Sequence, residues 1–351
     1  MSKRQYEEHW AEKVTNKAMY DVISIGSATR DVFLQTKEDE MRVIKDKKFK
    51  TGEGVCFSLG SKIDVPEIHF RTGGSAVNAA VTFASQGLRA AVLCKVGRDS
   101  RGDSIISRLK EVGVDTSFVI RDEKYFTAYS LIMVAAKTRT IFVHRGATEH
   151  LCCDEPAPYE KLKEAKWLYI TNLGGKSAQI FLTLINFAHE NGIKIAINPG
   201  QAQLKLGKEL RPVLDEIDVL ILNQEEAACL TSIDFEKKDE IFKTLDAWTK
   251  GFVIITNGPE GFIGCDNSTQ YSAGILKEPK YVDRTGAGDA FGSGVVAGII
   301  KGMNLDEALQ LASANATSVL GEWGANHGLL SKDDDIYKFG KLKISKKTCH
   351  E

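Results

Sequence analysis

The chain predicts an α/β protein: a doubly wound, mainly parallel sheet with helices on both faces, plus a small β-sheet lid. Three observations carry this. Short β-branched runs alternate with helical patterns, glycines cluster where those runs end, and two charged stretches break the alternation. Residues 20–26 (YDVISIG) form the first run, a buried strand closing on glycine. Residues 90–97, 166–170, 193–197, 218–222 and 252–256 (FVIIT) repeat the signature. Helical periodicity fills 76–86, 104–112, 178–190, 224–230 and 235–249 between them. Residues 29–72 and 118–146 instead alternate in short polar and apolar segments, and are expected to pair as one lid at the carboxyl edge of the sheet. The last third predicts helices at 288–301, 305–320 and 333–339. The expected layout is a polar extension (1–19), one α/β domain (20–330), and a C-terminal helix with a solvated basic tail (331–351).

Composition excludes several functions. The 351 residues carry 46 Lys+Arg against 47 Asp+Glu, a net charge of -1, so no electrostatic case exists for nucleic acid or an anionic membrane. No apolar run approaches the roughly 18 residues of a spanning helix. The N-terminus is polar, unlike a signal peptide or anchor. Seven scattered cysteines predict reduced thiols in a cytoplasmic protein. Gly175-Lys176-Ser177 resembles the end of a P-loop, but Ile170 stands where that motif needs glycine. His150, Cys152 and Cys153 lack a second ligand pair for zinc.

The strongest positive signal is Asp283-Arg284-Thr285-Gly286-Ala287-Gly288-Asp289-Ala290-Phe291, just ahead of a long apolar helix. Glycines permit a tight turn with free N–H groups, and the helix dipole adds positive character there, so the turn suits an anion. Asp289 then stands in the first helical turn, beside that anion. Gly73-Gly74-Ser75-Ala76-Val77-Asn78 is the second signal: paired glycines allow close ligand approach, and Asn78 lies one turn inside the helix they open.

In this order, with Gly97–Gly102 between them, these motifs resemble the ribokinase-like (PfkB) carbohydrate kinases, a family that includes nucleoside kinases. The likeness runs from about Tyr20 to Leu330 and includes Asn198-Pro199-Gly200 and the NQEE of Asn223 and Glu226. It implies a Rossmann-like kinase domain with a lid, ATP as donor, Mg²⁺, and K⁺ as monovalent cation. By resemblance, Asp289 is the general base, and Gly286, Ala287 and Gly288 form the anion hole. Asp31, Gly73, Gly74 and Asn78 are the sugar contacts. Asn223 and Glu226 organise Mg²⁺ through water. Thr256, Gly258 and Gly261 match the nucleotide loop, with Asn315 at the adenine pocket. Asp283, Thr285 and Gly324 fall at the cation site. Two departures stand out: Arg284 replaces the commonest Thr, and the lid insertion is long. The acceptor implied is a ribose-containing small molecule, sugar or nucleoside, with a homodimer through the lid. A fructose-type or keto-acid sugar, and a catalytically silent binding or regulatory member, stay open.

Overall fold

The computed structural model describes residues 19–35, 41–49, 51–135, 138–151, 159–278 and 282–349. The thirteen strands used below are β1 Val22–Ile25, β2 Thr29–Gln35, β3 Glu67–Gly73, β4 Ala90–Leu93, β5 Ala128–Ala135, β6 Thr138–His144, β7 Trp167–Ile170, β8 Lys194–Ile197, β9 Val219–Asn223, β10 Phe252–Thr256, β11 Phe262–Cys265, β12 Thr269–Ala273 and β13 Ser345–Thr348. The main helices are α1 Ser75–Ser85, α2 Ser100–Glu111, α3 Phe181–Glu190, α4 Gln224–Thr231, α5 Lys238–Trp248, α6 Ala287–Ile300 and α7 Leu305–Val319.

Nine strands form the main sheet in the order β13-β12-β11-β10-β9-β8-β7-β1-β4. The six from β4 to β10 are parallel, and the edge beyond β10 is antiparallel. Alternation along the parallel strands decides which helices cover which face. Val22, Tyr169 and Ile221 belong to a core shared with Val295 of α6 and Leu309 of α7. Ile23, Ile170 and Leu220 join a second core with Leu184 of α3, Leu230 of α4 and Leu245 of α5. Both faces are buried, so the parallel strands read as continuous apolar runs rather than alternating ones.

The lid is a separate four-stranded sheet, β6-β5-β2-β3. Its two insertions meet where β2 runs parallel to β5 from Thr29↔Ala128 to Gln35↔Val134. The lid is smaller than 29–72 and 118–146 suggest. Residues 42–45 and 53–56 form their own hairpin, and 120–122 pair with 95–97 instead.

Three expectations fail. Residues 333–339 form turns, not a helix, and the basic tail is not wholly solvated: Leu342 is buried, and β13, though exposed, pairs with β12 at the sheet edge. The hairpin β11–β12 had no helix-alternating signature to announce it. The thiols are not all free: Cys265 and Cys349 form a disulfide across 84 residues, while Cys56, Cys94 and Cys229 are free. Spacing along a chain does not reveal a pairing set by strand addition at a sheet edge. The N-terminal extension (1–18) and the Cys152–Cys153 pair lie outside the described residues.

Candidate active site

Two cavities open at the carboxyl ends of the parallel strands, the usual binding edge of such sheets. The first, about 300 Å³, is lined by Thr256, Gly258, Gly261, Phe262, Ser313 and Thr317 among others. The second, about 430 Å³, is lined by Arg139, Asn172, Asn198, Glu226, Gly286 and Asp289 among others. Both include Asn223, Thr256, Arg284 and Gly288, so the two meet at the start of α6.

That junction is built by local backbone chemistry. Gly286 caps α6 at φ 84°, a left-handed conformation that a side chain disfavours, and a Cβ there would collide with Ala325. The helix ladder begins with the Ala290 N–H bonding the Gly286 carbonyl at 2.8 Å, so the amides of Gly288 and Asp289 precede it. Asp289 follows in the first turn. Its Oδ2 accepts from Asn78 Nδ2 at 2.8 Å, which ties α6 to α1. Burial raises the Asp289 carboxyl above the ordinary range, opposed by hydrogen bonds from Asn78 and Ser75. The carboxylate is therefore a stronger base than a solvated one.

Asp31 lies on β2, 6% exposed, and does not line the second cavity. Gly73, on β3 opposite Thr29, leaves room for the Asp31 carboxylate, with which a Cβ there would collide. Burial pushes Asp31 up to about 6, the Ser130 hydrogen bond lowers it, and the nearby Asp283 and Asp289 charges raise it further. Gly74 is the N-cap of α1. Asp31 and Gly73 thus lie against each other, Gly74 caps the helix that carries Asn78, and Asn78 reaches Asp289.

Asn223 and Glu226 hold each other. Asn223 Oδ1 accepts from the Glu226 N–H, and Glu226 Oε2 accepts from the Asn223 N–H, both at 2.8 Å, as a capping box on α4. One Glu226 oxygen is thereby engaged and the residue still lines the second cavity. Burial raises its carboxyl, the Asn223 hydrogen bond opposes this, and the Asp289 charge adds to it.

Asn315 departs from expectation. It is fully buried, donates to the Ala290 carbonyl and accepts from the Leu330 N–H, both at 2.9 Å, and so pins α7 to α6. Ser313, Ala316 and Thr317 line the first cavity in its place. Asp283 Oδ1 accepts from Thr285 N (3.1 Å), Thr285 Oγ1 (2.9 Å) and the Arg139 guanidinium (3.0 Å). Its Oδ2 is buried with no hydrogen-bond partner among the described residues. Gly324 packs beside Arg71, and its neighbour Trp323 stacks on His69 of the lid, ring centres 4.9 Å apart.

Sequence reasoning missed Arg139 and Asn172. Arg139 stands near the tip of the β5–β6 hairpin and pairs with a carboxylate 144 residues away. Asn172 follows β7, beside Gly200, in the strand-end position that binds ligands in such sheets. That position was the one signal available for it.

The pfkB family carbohydrate kinase model matches residues 19–332. The ribokinase of Haemophilus influenzae is 28% identical over 275 residues, covering 75% of this chain and 86% of that protein. Among solved structures, Arabidopsis thaliana ribokinase complexed with ribose and ATP superposes with a TM-score of 0.73 at 19% identity, covering 89% of this chain and 96% of that one. A Burkholderia thailandensis nucleoside kinase in complex with inosine gives 0.71 at 19% identity, with 90% and 96% covered. No helix among the described residues is long and apolar enough to cross a membrane. A sheet of this topology, a glycine turn opening α6 beside a raised carboxylate and a family match across nearly the whole chain agree: this chain belongs to the pfkB family of carbohydrate kinases, as an ATP-dependent sugar or nucleoside kinase.

Proposed function

We propose that the protein transfers the γ-phosphoryl group of ATP to the primary hydroxyl of a ribose-containing acceptor, a free sugar or a nucleoside. The observation that carries this is the Asp289 carboxylate, held by Asn78 at 2.8 Å where the two cavities meet. ATP occupies the first cavity and the acceptor CH₂OH approaches Asp289 from the second. The acceptor oxygen bonds to the γ-phosphorus, the bond from phosphorus to the β,γ-bridging oxygen breaks, ADP leaves, and the acceptor proton passes to Asp289. Gly286, Ala287 and Gly288 present N–H groups to the charge on the transferring group, where one well-placed donor is worth about 3–4 kcal/mol. Arg139 brings a lid guanidinium to the same rim.

The donor sets suit the ions expected. The Glu226 carboxylate and Asn223 amide are hard oxygen ligands that would hold Mg²⁺ largely through water, and the ion would neutralise phosphate charge. The unpartnered Asp283 Oδ2 is the kind of buried oxygen that would hold K⁺ beside Thr285 and Gly324. The lid also carries exposed apolar side chains, Phe70 and Phe142 on one face, which support a homodimer through the lid. Sedimentation of the wild type against Phe70→Glu would check that.

Measuring ADP release with ribose, fructose, keto-acid sugars and nucleosides tests the assignment. Ribose-containing acceptors are expected to exceed the others at least tenfold in kcat/KM. No acceptor-stimulated release with any of them would overturn it.

Asp31 predicts the finer preference. One carboxylate can accept from two neighbouring hydroxyls, which suits the 2,3-diol of ribose. A 2-deoxy acceptor leaves that buried charge half satisfied, at a cost of about 1–3 kcal/mol. The wild type should lose roughly 10- to 100-fold in kcat/KM on the 2-deoxy analogue, and Asp31→Ala should abolish the difference. Equal wild-type rates on both acceptors would remove Asp31 from the acceptor site.

The pH profile follows from the raised carboxyls. Asp289 must be ionised to take a proton, so kcat/KM is expected to fall as pH drops through its raised pKa, with Asp31 at about 6 steepening the acid limb. A profile flat from pH 5 to 8 would contradict both assignments.

A further inference from the structure

The end of the chain runs along the outer edge of the main sheet as a strap fixed at both ends. Upstream, Leu342 is buried and its N–H donates to Gln310 Oε1 at 2.7 Å. Downstream, Cys349 is bonded to Cys265, the fully buried last residue of β11. Between these points β13 pairs with β12, from Ser345 opposite Ser272 to Thr348 opposite Thr269. The side chains of Ser345, Lys346, Lys347 and Thr348 are all exposed, so no apolar burial holds the strand. Lys346 pairs with Asp306 at 2.7 Å and lies over the Tyr271 ring, 5.3 Å from its centre. Both partners of that ion pair are half exposed, and such pairs add little. A short polar edge strand is marginal by itself. The disulfide, closing a loop across 84 residues, is therefore the tie that decides whether the strap stays down.

The strands under the strap also wall the first cavity. β11 and β12 form one hairpin, with Phe262 opposite Ala273 at one end and Cys265 opposite Gln270 at the other. Gly261, Phe262, Gly274, Ile275 and Leu276, at the first end, line that cavity. Cys265 lies about 10 Å further along β11 at the rise of an extended strand. The two sulfurs differ in access, since Cys265 has no exposed surface and Cys349 is half-buried. Asp246 of α5 places a carboxylate oxygen within 4.8 Å of both. A carboxylate disfavours a neighbouring thiolate, so exchange here is slow and the oxidised and reduced states are separable.

We propose that the Cys265–Cys349 bond is a reversible thiol-exchange site that controls one wall of the ATP cavity. A thiolate of a dithiol reductant attacks Cys349 Sγ, the S–S electron pair leaves on Cys265 Sγ, and that sulfur takes a proton. The second thiol of the reductant then displaces Cys349, which takes a proton in turn, and the reductant departs as its own disulfide. The strap, released at its downstream end, lifts from β12 and loosens the wall. A small-molecule disulfide reverses the sequence. That this wall meets ATP rests on the kinase reading above; the exchange and the release of β13 do not.

The test compares the full chain after oxidation with glutathione disulfide and after reduction with dithiothreitol. Alkylation and peptide mapping should find Cys265 and Cys349 linked in the oxidised protein and both alkylated in the reduced one. Reduction should speed amide hydrogen exchange in β13 and β12 by about tenfold or more, and reoxidation should restore it. It should also weaken ATP binding, read by calorimetry, by about threefold or more. Cys349→Ser should show the reduced values under both conditions. Cys56→Ser, which removes an exposed thiol on the separate hairpin, should respond as the wild type does. Three results would each overturn the proposal: no link in the oxidised protein, a link whose reduction leaves exchange in β13 and β12 unchanged, or a Cys349→Ser protein that still responds to reductant. Release of the strap with unchanged ATP affinity would overturn control of the cavity. If release weakens ATP binding but no acceptor is phosphorylated in either state, the exchange site stands and the kinase reading fails.

Discussion

Replacing Asp289 by Asn is expected to lower kcat by at least about 10²-fold while leaving the fold and ATP binding intact. A positioned base contributes roughly 10²–10⁴-fold to proton transfer, and the amide cannot accept the acceptor's proton. The fold should survive because the Asn78 Nδ2 contact at 2.8 Å needs only an acceptor oxygen, which an asparagine supplies in one orientation. Stability gives an independent readout. Burial raises the folded-state pKa of Asp289, so its stabilising contribution is complete below the unfolded value and lost as pH rises through the folded one. Above that pKa the wild type holds a costly buried charge. Asp289→Asn should therefore equal or exceed wild-type Tm at pH 8. Its residual kcat/KM profile should also lose the Asp289 share of the acid limb and keep only that of Asp31. A variant keeping more than about a tenth of wild-type turnover would remove Asp289 from the role of base.

What the amino-acid order reveals here is what one stretch of chain can decide for itself. The α6 start is legible because the turn, its free amides and Asp289 fall within nine consecutive residues, and α1 likewise carries Gly73, Gly74 and Asn78 together. The parallel strands are legible because burial on both faces writes them as apolar runs. Asn223 and Glu226 show both aspects: three residues apart they form a capping box that any helix can use, and only the fold puts Glu226 on the cavity. Arg139 was hidden because its meaning depends on Asp283, reached only when the lid folds over the sheet. Asn315 misled in the opposite sense. The family resemblance puts it at the adenine pocket, but α7 turns that face toward α6, where its amide closes the packing. The strand β13 has no apolar alternation, since all four of its residues are exposed, so only its pairing with β12 makes it a strand.

The two glycines of the anion turn should separate folding from chemistry. Gly286 adopts φ 84° and has Ala325 against the place of its missing Cβ, so Gly286→Ala is strained twice over and should lower Tm by many degrees. Gly288 is different. It has an ordinary helical φ, and a Cβ there meets nothing within 4 Å. The space it faces is the junction of the two cavities, since it lines both. Gly288→Val should therefore fold, with Tm within a few degrees of wild type, because valine costs a helix no more than glycine does. Its branched side chain would stand over the Gly288 and Asp289 amides and in the path of the phosphoryl group. Loss of one donor together with misalignment predicts a fall in kcat of about 10²–10³-fold, with the larger share in kcat rather than in the KM for acceptor. Thermal melts and steady-state kinetics on the two variants decide the matter. A folded Gly288→Val enzyme with turnover within tenfold of wild type would mean that the phosphoryl group passes elsewhere, and that the turn at α6 serves the fold alone.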